Sequence, residues 1–104
     1  MGLSTHVLDT AAGRPAAGIP VRLERGEPGR ASWTVVTEGI TDGDGRIAGL
    51  PLIAPGPWRL VFDTSGRSAF FPEVTIAFVV TDPAEHHHVP LLLAPFGYST
   101  YRGS

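Results

Sequence analysis

An all-β fold, an antiparallel β-sandwich of seven to eight short strands, is what this 104-residue sequence predicts, and three observations predict it. Glycine and proline occur 13 and 10 times, spread so evenly that no stretch free of both exceeds ten residues. Long helices cannot survive that spacing, because each interior Gly costs about 1 kcal/mol relative to Ala and each Pro about 3. Apolar and β-branched residues instead recur in short runs of period two, bounded by turn signals. No helical pattern alternates with these runs, which favours an antiparallel sandwich over a parallel α/β sheet. With 42% hydrophobic residues the chain holds enough apolar material for one core, so residues 1–104 are read as a single domain.

The elements follow in order. Leu3-Ser4-Thr5-His6-Val7-Leu8-Asp9 is a first strand, stopped by the turn Ala11-Ala12-Gly13-Arg14-Pro15. Residues 19–24 alternate apolar and polar, as a half-buried strand does. Gly26-Glu27-Pro28-Gly29 turns the chain into a β-branched and aromatic run over 32–37, so these two strands are expected to form a hairpin. Asp42-Gly43-Asp44-Gly45 is a tight turn feeding a short strand at Arg46-Ile47-Ala48, closed by Pro51. Its acidic start does not make a calcium loop: Ile47 and Ile53 stand where an EF-hand needs its Gly and its bidentate Glu. Residues 58–63 place Trp58, Leu60 and Phe62 on one side, and residues 74–80 do the same with Val74, Ile76, Phe78 and Val80; these are the expected core. Residues 86–94 form a strand whose Pro90 cannot donate to a ladder, which predicts an edge or a bulge. Pro95-Phe96-Gly97 then turns into a last short strand over 98–101.

The formal charge is −2, and all eight basic residues are arginines scattered singly along the chain. Nucleic-acid binding requires a concentrated basic surface, so no nucleic-acid partner is expected. No window approaches the roughly 18 apolar residues of a membrane span, and no basic-then-apolar leader precedes Leu3; no membrane association and a cytoplasmic location are the expectation. The absence of cysteine removes thiol nucleophiles and thiolate metal sites. Stability must then come from packing and from assembly, and exposed strand edges favour a homo-oligomer.

The residues able to carry chemistry are few. In a strand His86 and His88 share one face and His87 the other, so only one pair can converge. A catalytic zinc site needs three ligands and an open position. His6 could join His86 and His88 only if the first strand lies beside the later one, and no carboxylate stands at a suitable spacing; no metal is expected. His6 is a titratable ring in an otherwise neutral strand, a candidate base near neutral pH. Arg46 directly follows the Asp-Gly turn, which can aim its guanidinium at a planar, oxygen-rich ligand. The end, Tyr101-Arg102-Gly103-Ser104, supplies a phenol, a guanidinium, a flexible Gly and a carboxylate after a β-rich segment.

Three signatures resemble one family, the 5-hydroxyisourate hydrolases, also called transthyretin-related proteins. The first is Leu3-Ser4-Thr5-His6-Val7-Leu8-Asp9 followed by Gly13-Arg14-Pro15-Ala16, and the second is Asp44-Gly45-Arg46. The third runs from His86-His87-His88-Val89-Pro90 through Phe96-Gly97-Tyr98 to Tyr101-Arg102-Gly103-Ser104, similar almost throughout to the family's C-terminal signature. Asp42 and Ala94 stand where Asn and Ser are more usual.

The resemblance implies a transthyretin-like sandwich and a cofactor-free opening of the 5-hydroxyisourate ring to 2-oxo-4-hydroxy-4-carboxy-5-ureidoimidazoline in urate degradation. It implies a homotetramer with active sites at the dimer–dimer interface. It carries catalytic roles to His6, Arg46, His88 and Ser104, and substrate binding to His6, Arg46 and Tyr101. With no Cys nucleophile and no Gly-x-Ser-x-Gly elbow, activated water is the expected nucleophile, one of His6 and His88 acting as base and the other as orienting or acidic partner. Arg46 would stabilise the oxyanion. Family members carry a short helix between the strands at 58–63 and 74–80, but residues 64–69 are too few for two helical turns with connections. The helix is therefore expected to be absent or reduced to one turn. The readings of another class are a non-catalytic, transthyretin-like small-ligand carrier and a structural sandwich module of a larger assembly. His6, Arg46 and the Tyr-Arg-Gly-Ser end favour the hydrolase over both.

Overall fold

A computed structural model describes residues 2–29 and 31–104. Its described residues form ten strands: β1 (Leu3–Asp9), β2 (Arg14–Pro15), β3 (Pro20–Gly26), β4 (Trp33–Ile40), β5 (Arg46–Leu50), β6 (Gly56–Asp63), β7 (Glu73–Val80), β8 (His87–His88), β9 (Leu91–Ala94) and β10 (Gly97–Thr100). They make two sheets packed as a sandwich. One is antiparallel throughout, in the order β4-β3-β6-β7. The other runs β10-β9-β1-β2, with β5 and β8 also paired to β1.

The expected hairpin is present as β3–β4, bulged between Leu23 and Glu24. The core also lies where the alternation puts it. Val21 and Leu23 of β3, Trp58, Leu60 and Phe62 of β6, and Val74 and Val80 of β7 meet Leu3, Val7 and Leu91 of the other sheet. The opposite face of the antiparallel sheet carries a charged cluster. There the buried Glu24 carboxylate accepts from Arg22 Nε at 3.0 Å and Arg59 Nε at 2.5 Å, and Arg59 in turn lies 4.4 Å over the Trp33 ring. Burial raises the Glu24 pKa, but the two arginine hydrogen bonds outweigh it and hold the carboxyl below its ordinary value.

Three expectations change in the structure. The sheet built on β1 is mixed rather than antiparallel, because β8 and β9 both run parallel to β1. Pro90 does not put its strand at an edge. It splits the run into β8 and β9, and β9 lies between β10 and β1. The carbonyls stranded at this break are met by threonine hydroxyls, Thr5 donating to Val89 O at 2.6 Å and Thr100 to Pro90 O at 2.7 Å. The expected turn at residues 11–15 is present and closes a short hairpin, with Leu8 opposite Pro15 and Asp9 opposite Arg14. The last strand ends at Thr100, which leaves Tyr101 beyond it.

The connection from β6 to β7 holds no helix. A single turn is closed by Arg67 N and Ser68 N, both donating to Thr64 O at 2.9 and 2.8 Å. The shortened link accords with the length of residues 64–69.

Phe62 is wholly buried at the centre of the core. Phe62→Ala should lower unfolding free energy by about 3–5 kcal/mol. The measurement is a urea titration, and a midpoint equal to that of the wild type would contradict this placement.

Candidate active site

The site is built on β1. Period two sends Leu3, Thr5 and Val7 into the core and leaves Ser4 and His6 on the opposite face. Antiparallel pairing sets Arg46 of β5 directly across from His6, and parallel pairing on the other edge sets His88 across from Ser4. Side chains of directly paired residues share a face, so Ser4, His6, Arg46 and His88 gather on the outer surface of the mixed sheet.

Arg46 owes its position to the turn before it. Asp42 O accepts from Gly45 N at 2.9 Å, and Asp42 Oδ1 accepts from the amides of Arg46 at 3.0 Å and Asp44 at 2.9 Å. These amide bonds, that from Arg46 foremost, hold the Asp42 carboxyl below the usual carboxylate range. Gly45 has φ +75°, and its carbonyl accepts from Val7 N at 2.8 Å, fastening the turn beside His6. A Cβ there would press on Val7 O and on Pro15, so glycine is required twice over.

His88 is half-buried, and its Nδ1 lies 2.7 Å from Ser4 Oγ. Burial pushes its imidazole below the ordinary histidine value; the positive charges of His6, His86 and Arg46 push the same way, and a hydrogen bond with the Ser4 backbone opposes them. His6 Nε2 is buried with no hydrogen-bond partner among the described residues. Leaving such a group unsatisfied costs about 1–3 kcal/mol, so a group from outside the chain is its natural complement.

The C-terminal tail returns to the same place. Gly103 N donates to His88 O at 2.8 Å in an antiparallel bridge, and a Cβ on Gly103 would overlap the His88 ring. Tyr101 is 58% exposed and lines a cavity of about 220 Å³ together with His88, Ile76, Phe78 and Val89. His6 and Arg46 do not line that cavity. Ser104 is exposed at the end of the tail.

The fold thus brings His6, Arg46 and His88 to one face of a single chain. It sets Tyr101 beside His88 alone. His87 points inward, its Nδ1 2.8 Å from Glu85 O, as a hydrogen-bonded core residue. Two polar groups at the site carry no role in the sequence reading. Ser4 Oγ lies within hydrogen-bond reach of both His88 Nδ1 and His86 Nε2, the latter at 3.2 Å. The signal was available in the alternation of residues 3–9, which puts Ser4 on the face of His6; its partner follows only from the parallel register with β8.

Two face-packed sheets, with imidazoles and a guanidinium on the outer face of the mixed sheet, define a transthyretin-type β-sandwich bearing a polar surface site. The chain belongs to the HIUase/Transthyretin family, which matches residues 3–103. It is 44% identical over 111 residues to the 5-hydroxyisourate hydrolase of Mus musculus, an alignment covering 98% of this chain and 94% of the relative. The solved 5-hydroxyisourate hydrolase of Klebsiella pneumoniae superposes with a TM-score of 0.80 at 37% identity, each chain covered over 100% of its length. Sea bream transthyretin, solved with thyroxine, superposes with a TM-score of 0.85 at 27% identity, covering 99% of this chain and 95% of that one.

An NMR titration should find His88 changing charge below about 6.5, the ordinary histidine value. Between the two values the unfolded chain binds more protons than the folded one, so this group removes stability as pH falls through that window and contributes nothing above it. His88→Asn should flatten the corresponding slope of stability against pH. An unchanged slope would contradict the assignment.

Proposed function

We propose that this chain hydrolyses 5-hydroxyisourate to 2-oxo-4-hydroxy-4-carboxy-5-ureidoimidazoline in urate degradation. One observation carries the reading: His6, Arg46 and His88 converge on one sheet face, with His6 Nε2 left without a partner among the described residues. The hydrolase relatives in Mus musculus and Klebsiella pneumoniae support it.

The bond to be opened joins an acyl carbon to a ring nitrogen, and water attacks the carbon. His88 takes the proton from that water, because its lowered pKa keeps a lone pair free at neutral pH. His6 orients the water or protonates the departing nitrogen. Arg46, exposed and permanently charged, receives the carbonyl oxygen as negative charge gathers on it. Losing a donor in that role costs about 3 kcal/mol of transition-state stabilisation. Tyr101 and Ser104 hold the ring and close the pocket.

We further propose a homotetramer with active sites at its dimer–dimer interface. Two features support it. Tyr101 faces a cavity that His6 and Arg46 do not share, as expected if adjacent copies complete each pocket. The edge strands β7 and β10 each leave one side unpaired within the chain, with Val79 and Tyr98 exposed on them.

The test is the decay of freshly generated 5-hydroxyisourate, followed spectrophotometrically with and without the protein. His6→Asn and His88→Asn should each leave a folded oligomer and lower turnover at least about a hundredfold. Near wild-type kinetics in both would dismiss the acid–base assignment. Removal of residues 101–104 should abolish turnover while preserving the sandwich, and unchanged progress curves would make the tail incidental. Saturable binding of the compound without turnover would mark a carrier instead.

A further inference from the structure

Hydrolysis of this kind must dispose of a proton. The product carries a new carboxyl group, ionised at neutral pH, and a ureido nitrogen that takes one of the two protons of the attacking water and is too weakly basic to hold the second. One proton therefore leaves the site in every turnover. His88 is half-buried and flanked by the tail at Gly103, so its release route is a structural question.

The geometry points to one. From His88 Nδ1 a chain of hydrogen-bond distances leads outward, 2.7 Å to Ser4 Oγ and 3.2 Å from Ser4 Oγ to His86 Nε2. His86 is exposed. We propose that Ser4 is a positioning residue which fixes the His88 tautomer and, with His86, conducts the catalytic proton to solvent. This inference rests on the hydrolase reading above.

The directions of the bonds fix the chemistry. A hydroxyl can accept from one imidazole while donating to another. With His88 Nδ1–H donating to Ser4 Oγ, and the Ser4 hydroxyl donating to His86 Nε2, the lone pair of His88 is left on Nε2, where a base needs it. When Nε2 gains the proton of water, the Nδ1 proton passes to Ser4 Oγ, the hydroxyl proton passes to His86 Nε2, and His86 releases a proton to solvent. His88 is then left with its proton on Nε2; as the product leaves, Nε2 gives that proton to solvent in the open site while Nδ1 takes one back through Ser4 and His86, so one proton is released per turnover and no co-reactant is consumed. The charges around the relay favour outward flow. His6 and Arg46 face His88 from β1 and β5, while Glu85, paired with Arg102 at 3.4 Å, lies next to His86. Tyr101 borders His88 on the tail side.

The experiment combines kinetics with nitrogen-15 NMR of the imidazoles in the full chain. His88 should show Nδ1–H and an unprotonated Nε2 in the wild type and lose that preference in Ser4→Ala. Ser4→Ala should lower kcat about tenfold, short of the hundredfold or more expected for removing the base itself, with KM little changed. Ser4→Thr, which keeps the hydroxyl, should restore turnover. His86→Asn should be slow in dilute buffer and recover as imidazole is added, a response that a merely structural role would not give. A wild-type chain that leaves 5-hydroxyisourate untouched overturns the hydrolase reading. An active wild type whose His88 carries its proton on Nε2, or a His86→Asn variant indifferent to imidazole, overturns the relay alone.

Discussion

Everything at the site depends on β1 having both of its edges in use. One edge takes β5 and β2, the other β8 and β9, so the strand is held from two sides by four segments. A strand so fixed cannot slip, because a shift of one residue would carry Leu3, Thr5 and Val7 out to solvent and Ser4 and His6 into the core. The same backbone hydrogen bonds that secure the sandwich therefore set the positions of the chemical groups. Rigidity here comes from the sheet rather than from a loop, which is the stronger way to hold a polar constellation.

Much of this was legible in the sequence, for local reasons. Trp58, Leu60 and Phe62 declare a buried face by alternation alone, and the Asp-Gly turn before Arg46 is specified by residues four apart. The short link after β6 follows from chain length. What could not be read depends on partners far away in sequence. The parallel placement of β8 and β9 is a choice of topology that no single strand encodes. Pro90 suggested an edge because a missing amide is usually tolerated there, yet Thr5 and Thr100 satisfy the neighbouring carbonyls and let the chain continue through the interior of the sheet. Ser4 shows the same limit: its face is predictable, its two imidazole neighbours are not.

Polar burial is handled differently on the two sheets. Glu24 is closed off by Arg22 and Arg59, a cluster whose hydrogen-bonding capacity is turned inward and which leaves little for a ligand. His6 Nε2 is the opposite case, a buried nitrogen with its capacity unspent. A folded domain ordinarily avoids such groups, so an unspent one beside a guanidinium with no ion-pair partner among the described residues separates a site from a structural cluster.

The pairing of Ser4 with His88 spans 84 positions of sequence. During synthesis β1 emerges early, with its hydrogen-bonding edge bare, and must wait for nearly the whole chain before β8 and β9 exist to cover it. Contacts of such long range slow the search for the native state and leave an open ladder available to the wrong neighbour in the meantime. The face that gathers Ser4, His6, Arg46 and His88 can therefore exist only after segments far apart along the sequence have met.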